Sequence, residues 1–398
     1  GAYVVGIDAL AARVVKAAGT GIAQAAEAVL GVATTEVSER APSTAWADAI
    51  AQAGQGLPPQ LKSPGFFDEE YAAVVLPNRI TDKADYLKVR RPGRGVALDR
   101  AKRTAGWDVI ASYRATGRIY GRLDFSEVAT LAAEHLNAQA AAGATRPFDH
   151  VLVDEGQDLS PSRWQLLRAA VAEGKDDIFV AEDAHQRIYG HRITLSQYGI
   201  KIVGRSRRLV LNYRTTAQNL RWAMSVLDGA DYSDLEGEAE DHSKYRSARS
   251  GPAPEFIACE SVADELERVA AVVEEWVSEP DLAPETLAIL VRDRNQQERV
   301  VAGLAERGVT VRGVDNEAIR LGQPVVMTMH RSKGTEFSKV VLFGVREGSI
   351  PAALRDQNYD ESALADALLR ERSLLYVAAT RARDVLVVTW SGKPSPLV

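Results

Sequence analysis

The chain has 398 residues, 46% hydrophobic and 26% charged, and its 48 basic against 54 acidic side chains give a net charge of −6. At roughly 150 residues per domain that length supports two or three domains, and the apolar fraction excludes a disordered chain. No apolar run approaches the ~18 residues that span a bilayer, while one cysteine, Cys259, excludes a disulfide framework and suits a reducing compartment.

Residues 1–60 are Ala-rich and helical in character, punctuated by Gly54, Gly56, Pro58 and Pro59. Residues 79–103, with Pro92, Gly93 and Gly95, read as a basic loop or helix edge. Strands and helices then alternate. Short β-rich runs stand at 150–154, 177–181, 209–211, 256–259, 287–291, 325–329, 340–345 and 385–390. Between them, Ser160-Pro161 predicts a capped helix start carrying Trp164, Leu167 and Val171 at helical spacing. Ser261 with Asp264 predicts another, with Leu266, Val269, Val273 and Trp276 as its apolar stripe. The alternation implies parallel sheets in an α/β protein. Residues 231–254, rich in Gly, Ser and acids, predict a surface loop.

Charge is unevenly placed. Residues 79–122 hold twelve Lys/Arg against four Asp, residues 185–222 hold eight and no carboxylate, and residues 228–281 hold sixteen acids against four bases. Two basic blocks beside an acidic one favour a polyanion-binding face on part of the molecule.

The strongest local signal is HVLVDEGQD at 150–158. An apolar strand ending in Asp154-Glu155 puts two carboxylates at the carboxyl edge of a parallel sheet, where α/β proteins bind ligands. One can hold Mg²⁺ while the other orients a water, the division of labour that nucleotide hydrolysis needs. On these residues alone, a solvated strand end leading into a capped helix is the commoner account.

Several ordered motifs resemble the UvrD/Rep-like superfamily 1 DNA helicases. VDEGQD is similar to that family's Walker B motif, usually VDEAQD, with Gly156 in place of Ala. EDAHQRIY at 182–189 resembles GDxxQxIY, with Glu182 in place of Gly. LNYRT at 211–215, MTMHRSKGTEF at 327–337 and LYVAATRARD at 375–384 resemble three later motifs, and LDFSEV at 123–128 and residues 6–15 resemble two earlier ones.

The resemblance implies roles residue by residue. Asp154 would hold Mg²⁺, Glu155 would position the attacking water and Gln186 would sense the γ-phosphate of ATP. Arg214 and Arg381 would be arginine fingers, since a guanidinium fork matches phosphate oxygens. Glu336, with Gly334 in the same motif, would meet the ribose, and Tyr213 would stack near the nucleotide base. Thr328 and His330 would couple nucleotide state to DNA, and Tyr189, His191 and Arg192 would contact the strand, with His191 where an aromatic is usual.

One element is missing. No G-x-x-x-x-G-K-[ST] occurs, so the β- and γ-phosphates have no glycine-loop cradle here; Lys333-Gly334 stands in the wrong order and place for one. With Gly1 rather than Met at position 1, this predicts a parent protein that continues N-terminally; an ATP-less homologue is the alternative. The family's larger members insert a whole domain where residues 291–325 leave about 30 positions.

The implied fold is two RecA-like P-loop NTPase-type lobes with parallel sheets. The first, 1–17 and 116–207, would be incomplete and carry a helical insertion at 18–115; the second would be 208–398. The implied function is the C-terminal portion of an ATP-dependent 3′→5′ helicase or translocase, bacterial, cytoplasmic and nucleoid-associated. It would use ATP and Mg²⁺, act on single-stranded or partial-duplex DNA, and touch no membrane. A helicase-like module that binds DNA or protein without hydrolysing ATP is the competing class. Arg90, Arg91, Arg94, Lys102 and Arg103 are expected to contact the DNA backbone, unless they pair with acids inside the fold.

Overall fold

The computed structural model describes residues 2–33, 39–91, 94, 96–190, 193–315, 319, 321–352 and 361–398. Among these, the N-terminal half carries α1 (Ile7–Ala18), α2 (Ile22–Leu30), α3 (Ala45–Ala53), α4 (Pro64–Glu70), α5 (Lys83–Lys88), α6 (Arg100–Tyr120), α7 (Phe125–Ala141) and α8 (Pro161–Ala170). Local chemistry sets several of their ends. Asp99 caps α6, and Asp124 with Glu127 forms a complete capping box on α7. Ser160, expected to cap α8, makes no side-chain cap bond, so Pro161 at the first helical position marks that start. One core, including Ile22, Trp46, Phe67, Ile110, Leu131 and Leu166, runs through these helices and across positions 18 and 115.

The short strands β1 (Glu39–Arg40) and β2 (Arg122–Leu123) pair in parallel, as do β3 (Val151–Val153) and β4 (Ile178–Val180). One face of the β3–β4 pair packs on buried Trp164. On the other, the register partners Leu152 and Phe179 stand 79% and 65% exposed.

In the C-terminal half, β5 (Leu211–Asn212) pairs with β6 (Arg246–Ser247). Six further strands are β7 (Glu255–Cys259), β8 (Leu287–Val291), β9 (Arg312–Gly313), β10 (Val325–Thr328), β11 (Phe337–Leu342) and β12 (Ala382–Ser391). They form one parallel sheet in the order β7-β12-β11-β8-β10-β9. The helices are α9 (Ala217–Ser225), α10 (Val262–Val277), α11 (Arg294–Ala305) and α12 (Glu361–Thr380). All of β8 is buried, and its side chains alternate between two cores. Leu287, Ile289 and Val291 meet α10 and α11, while Ala288 and Leu290 join the core of α9 and α12. β11 starts three residues before the expected 340, because Phe337 pairs with Ala382 and its N–H donates to the Arg381 carbonyl.

Two expectations need correction. Residues 231–254 are not simply a surface loop, since Tyr232 and Leu235 are buried. The basic block is largely tied up within the fold. Arg91 and Arg94 are buried around Glu70: Arg91 Nε and Nη2 donate to it at 2.5 and 2.7 Å, Arg94 Nε at 2.8 Å and Tyr86 Oη at 2.9 Å. Arg103 Nη1 donates to the carbonyls of Tyr86, Leu87 and Val89. These three therefore stabilise the fold and do not face outward toward a DNA backbone. Their partners are not the acids of 228–281. Arg90 is exposed, and Lys102 pairs with Asp99 at the surface.

Burial pushes the Glu70 carboxyl up, but Arg91 and Arg94 outweigh it and hold the group below its ordinary 4.5. A lowered carboxylate stabilises the fold above its unfolded value, and that contribution is lost as pH falls through the folded one. Glu70→Gln leaves Arg91 buried without a carboxylate partner and Arg94 with Glu69 alone, and is expected to cost about 3–5 kcal/mol in urea denaturation at pH 7. A cost below about 1 kcal/mol would mean the pair is not buried in solution.

Candidate nucleotide and coupling site

β3 delivers Asp154 and Glu155 at its carboxyl end. Asp154 is exposed, and its Oδ1 accepts the Glu155 N–H at 3.0 Å. Glu155 sits at φ 55, a left-handed conformation that costs a non-glycine residue on the order of 1–3 kcal/mol and persists only where its surroundings hold it. They do so here. Gly156 N donates to Ala181 O, and Asp158 N to Glu155 O, both at 3.0 Å. Gly156 must lack a side chain, because a Cβ would lie 2.8 Å from Val180 Cγ1 and 3.4 Å from both Leu235 and Trp164.

The 182–189 segment is tied to this turn, since Asp183 N donates to Gln157 Oε1 at 3.1 Å. Asp183 in turn accepts Gln186 Nε2 at 2.7 Å and lies 3.2 Å from His185 Nδ1. Burial raises the Asp183 carboxyl, but the bonds from His185 and Gln186 prevail and hold it below its usual range.

Residues nearly 200 positions away complete the arrangement. Arg381 is 3% exposed and donates to the carbonyls of Val377 and Thr335 at 2.9 and 3.0 Å, and to Gln186 Oε1 at 3.4 Å. Burial and then nearby Arg214 lower its pKa, partly offset by Glu155 and Asp183. Arg214 is half-exposed and pairs with Glu336 at 2.8 Å, so a finger candidate and the ribose candidate hold one another. Tyr189 and His330 approach ring to ring at 6.0 Å. Burial, then Arg292, lowers the His330 pKa against the opposing pull of Glu371, so its ring is neutral near pH 7. Thr328 Oγ1 accepts the Arg331 N–H at 3.3 Å. Tyr213 is 72% exposed and Gly334 is exposed at φ 79. His191 and Arg192 lie outside the described residues.

Lys333 is a further site residue, one that the sequence does not single out. It is nearly buried, and its Nζ reaches Asp158 at 2.6 Å, Glu155 at 3.4 Å and the Gln186 carbonyl at 2.7 Å. It lies inside the 327–337 motif, but the partner of a lysine 175 positions away cannot be read from one chain. An exposed Asp154 beside half-exposed Glu155 fits Mg²⁺ shared with a nucleotide's phosphates, the usual way this ion is held. Among the described residues no cluster of three or more His, Cys, Asp or Glu forms a metal cage, and none of their helices is long and apolar enough to cross a membrane.

The UvrD/REP helicase N-terminal domain matches residues 73–198, and the UvrD-like helicase C-terminal domain matches residues 320–393. The chain belongs to the UvrD/Rep-like superfamily 1 helicases. It is 24% identical over 255 residues to a probable DNA helicase of Mycoplasma pneumoniae, covering 63% of this chain and 45% of that protein. To DNA helicase IV of Escherichia coli it is 27% identical over 267 residues, covering 63% and 35%. To the ATP-dependent DNA helicase UvrD2 of Mycobacterium bovis it is 24% identical over 407 residues, covering 76% and 56%. The chain thus matches between about a third and just over half the length of these relatives. In this UvrD/Rep-like chain both matched domains contribute to one cluster, Asp158 and Gln186 from the first, Lys333 and Arg381 from the second.

Burial raises the Asp158 carboxyl above its ordinary 3.8, and Lys333 opposes that rise. A raised carboxylate costs stability as pH climbs from the unfolded value through the folded one. Lys333→Met removes the opposing charge and should cost about 2–3 kcal/mol at pH 8 and clearly less at pH 5. Urea denaturation at both pH values checks this. Equal losses would show that Asp158 does not depend on the ammonium.

Proposed function

We propose that this chain carries the Walker B, γ-phosphate-sensing and coupling parts of an ATP-dependent DNA helicase or translocase, moving 3′→5′ on single-stranded DNA. The observation that carries the reading is the contact of Arg381 with Gln186 beside Glu155, which joins residues 195 positions apart around two carboxylates. In this reading Asp154 holds Mg²⁺, which supplies charge neutralisation at the phosphates when bound. Glu155 orients and deprotonates the attacking water. Gln186 and Arg381 face the γ-phosphate, and Arg214 joins them on release from Glu336, which then meets the ribose. Tyr213 has the exposure a base-stacking residue needs. Both RecA-like lobes, residues 1–17 with 116–207 and residues 208–398, would form the cleft, with 18–115 inserted in the first.

The sequence lacks a phosphate loop, so in this reading hydrolysis needs a cradle from outside these 398 residues. The open Leu152–Phe179 face supports that view, because parallel strands are normally covered on both sides. A helicase-like binding module without ATPase remains the second reading, and the same missing loop favours it.

Two measurements separate these readings. The 398-residue chain alone should show no DNA-stimulated ATP hydrolysis; turnover that Glu155→Gln abolishes would overturn the need for an external cradle. Tyr189, 47% exposed beside His330, has the exposure that stacking a DNA base requires. Tyr189→Ala should weaken single-stranded DNA binding by about 5- to 150-fold, from the 1–3 kcal/mol typical of such stacking. Unchanged affinity in a fluorescence titration would remove Tyr189 from the strand's path.

A further inference from the structure

A segment of the C-terminal half is planted in the core of the N-terminal half. After α9 the chain doubles back. Glu240 N donates to Tyr232 O at 2.9 Å, Asp234 N to Glu238 O at 3.0 Å, Ser233 and Ala239 bridge antiparallel, and Gly237 turns at φ 86. Leu235 in this hairpin is 7% exposed and lies among Val153, Trp164, Leu167 and Leu195. Its carbonyl accepts the Leu195 N–H at 3.1 Å, and its own N–H faces the Glu182 carboxylate.

Both departures from the usual motifs border this residue. Where VDEAQD has Ala, this chain has Gly156, whose missing Cβ would meet Leu235 Cδ1 at 3.4 Å. Where GDxxQxIY has Gly, this chain has Glu182, which faces the Leu235 N–H. On the other side of the same turn Lys333 holds Asp158 and Glu155. The backbone between β3 and α8 is thus gripped from two directions by residues of the C-terminal half.

We propose that Leu235 is a positioning residue: through the 232–240 hairpin, the seating of the C-terminal half sets the backbone conformation of Glu155. The functional meaning rests on the reading of Glu155 as the residue that orients water. A left-handed Glu155 persists only where neighbours over-determine it, and close-packed interiors shift between discrete arrangements rather than deform smoothly. Withdrawing Leu235 opens a gap beside Gly156 and lets the turn relax. Arg208 secures the hairpin from its own half, donating to Ala239 O at 3.0 Å and pairing with Glu240 at 3.3 Å and Asp234 at 3.5 Å.

Hydrogen–deuterium exchange on the full 398-residue chain tests this without nucleotide, so its failure is separate from failure of the ATPase reading. Arg208→Gln loosens the hairpin without opening a void in the N-terminal core. It should speed exchange at the Gly156 and Asp158 amides by about three- to tenfold, with α6 unchanged. Leu235→Ala should do so by more than about tenfold, and Leu235→Ile should restore most of the protection. The proposal is overturned if Arg208→Gln loosens the hairpin amides while those of Gly156 and Asp158 stay protected. An equal rise in α6 overturns it too, since that would be general destabilisation.

Discussion

A single ammonium, that of Lys333, stands where the two halves of the molecule meet. Its bond to Asp158 offsets the burial that would otherwise make that carboxylate costly to ionise, and it also reaches Glu155 and the Gln186 carbonyl. Arg381 adds a second buried cation a short way off, at Gln186. Each is tied to its own half by the backbone of the motif that bears it, so the contacts persist only while the halves hold their present relation. The geometry around Asp154 and Glu155 is therefore a property of two packed bodies, not of one strand end.

Buried charge organises the helical part as well, with a different purpose. Glu70 gathers Arg91, Arg94 and Tyr86, and a second network runs from Arg114 through Tyr71 to Glu127. Burial, followed by neighbouring Asp124, pushes the Glu127 carboxyl up to about 8. Low dielectric strengthens such networks when every member is satisfied and penalises any member left alone. This explains why the block's net charge of +8 by count overstates its free cationic surface: Arg91, Arg94, Arg103 and Arg114 are consumed by carboxylates, a tyrosine hydroxyl and carbonyls in the same helical body.

The six-stranded sheet is the rigid frame for the later motifs. Thr328 closes β10, the 330–336 segment leads into β11, and Arg381 precedes β12, so two of the later motifs sit at strand ends of one parallel sheet. Parallel strands buried on both faces need apolar residues at nearly every position, which is why LAILV and VVMT were readable as strands. The β3–β4 pair lacks that double cover at Leu152 and Phe179, and its other face depends on Trp164 and on Leu235 from the far half.

The sequence by itself determined the α/β class with parallel strands, most strand positions, the capped start of α10 and the motifs that mark the UvrD/Rep-like family. Those features are local: periodicity, caps and short motifs record what a residue does for its neighbours in the chain. Tertiary structure alone decided that Arg214 pairs with Glu336, that Lys333 reaches Asp158, that Arg91 and Arg94 serve Glu70, and that Leu235 fills the space left by Gly156. In each case the partner of a charge or the mould around a side chain is set by segments distant in sequence, and composition records the charge but not where its counter-charge will be.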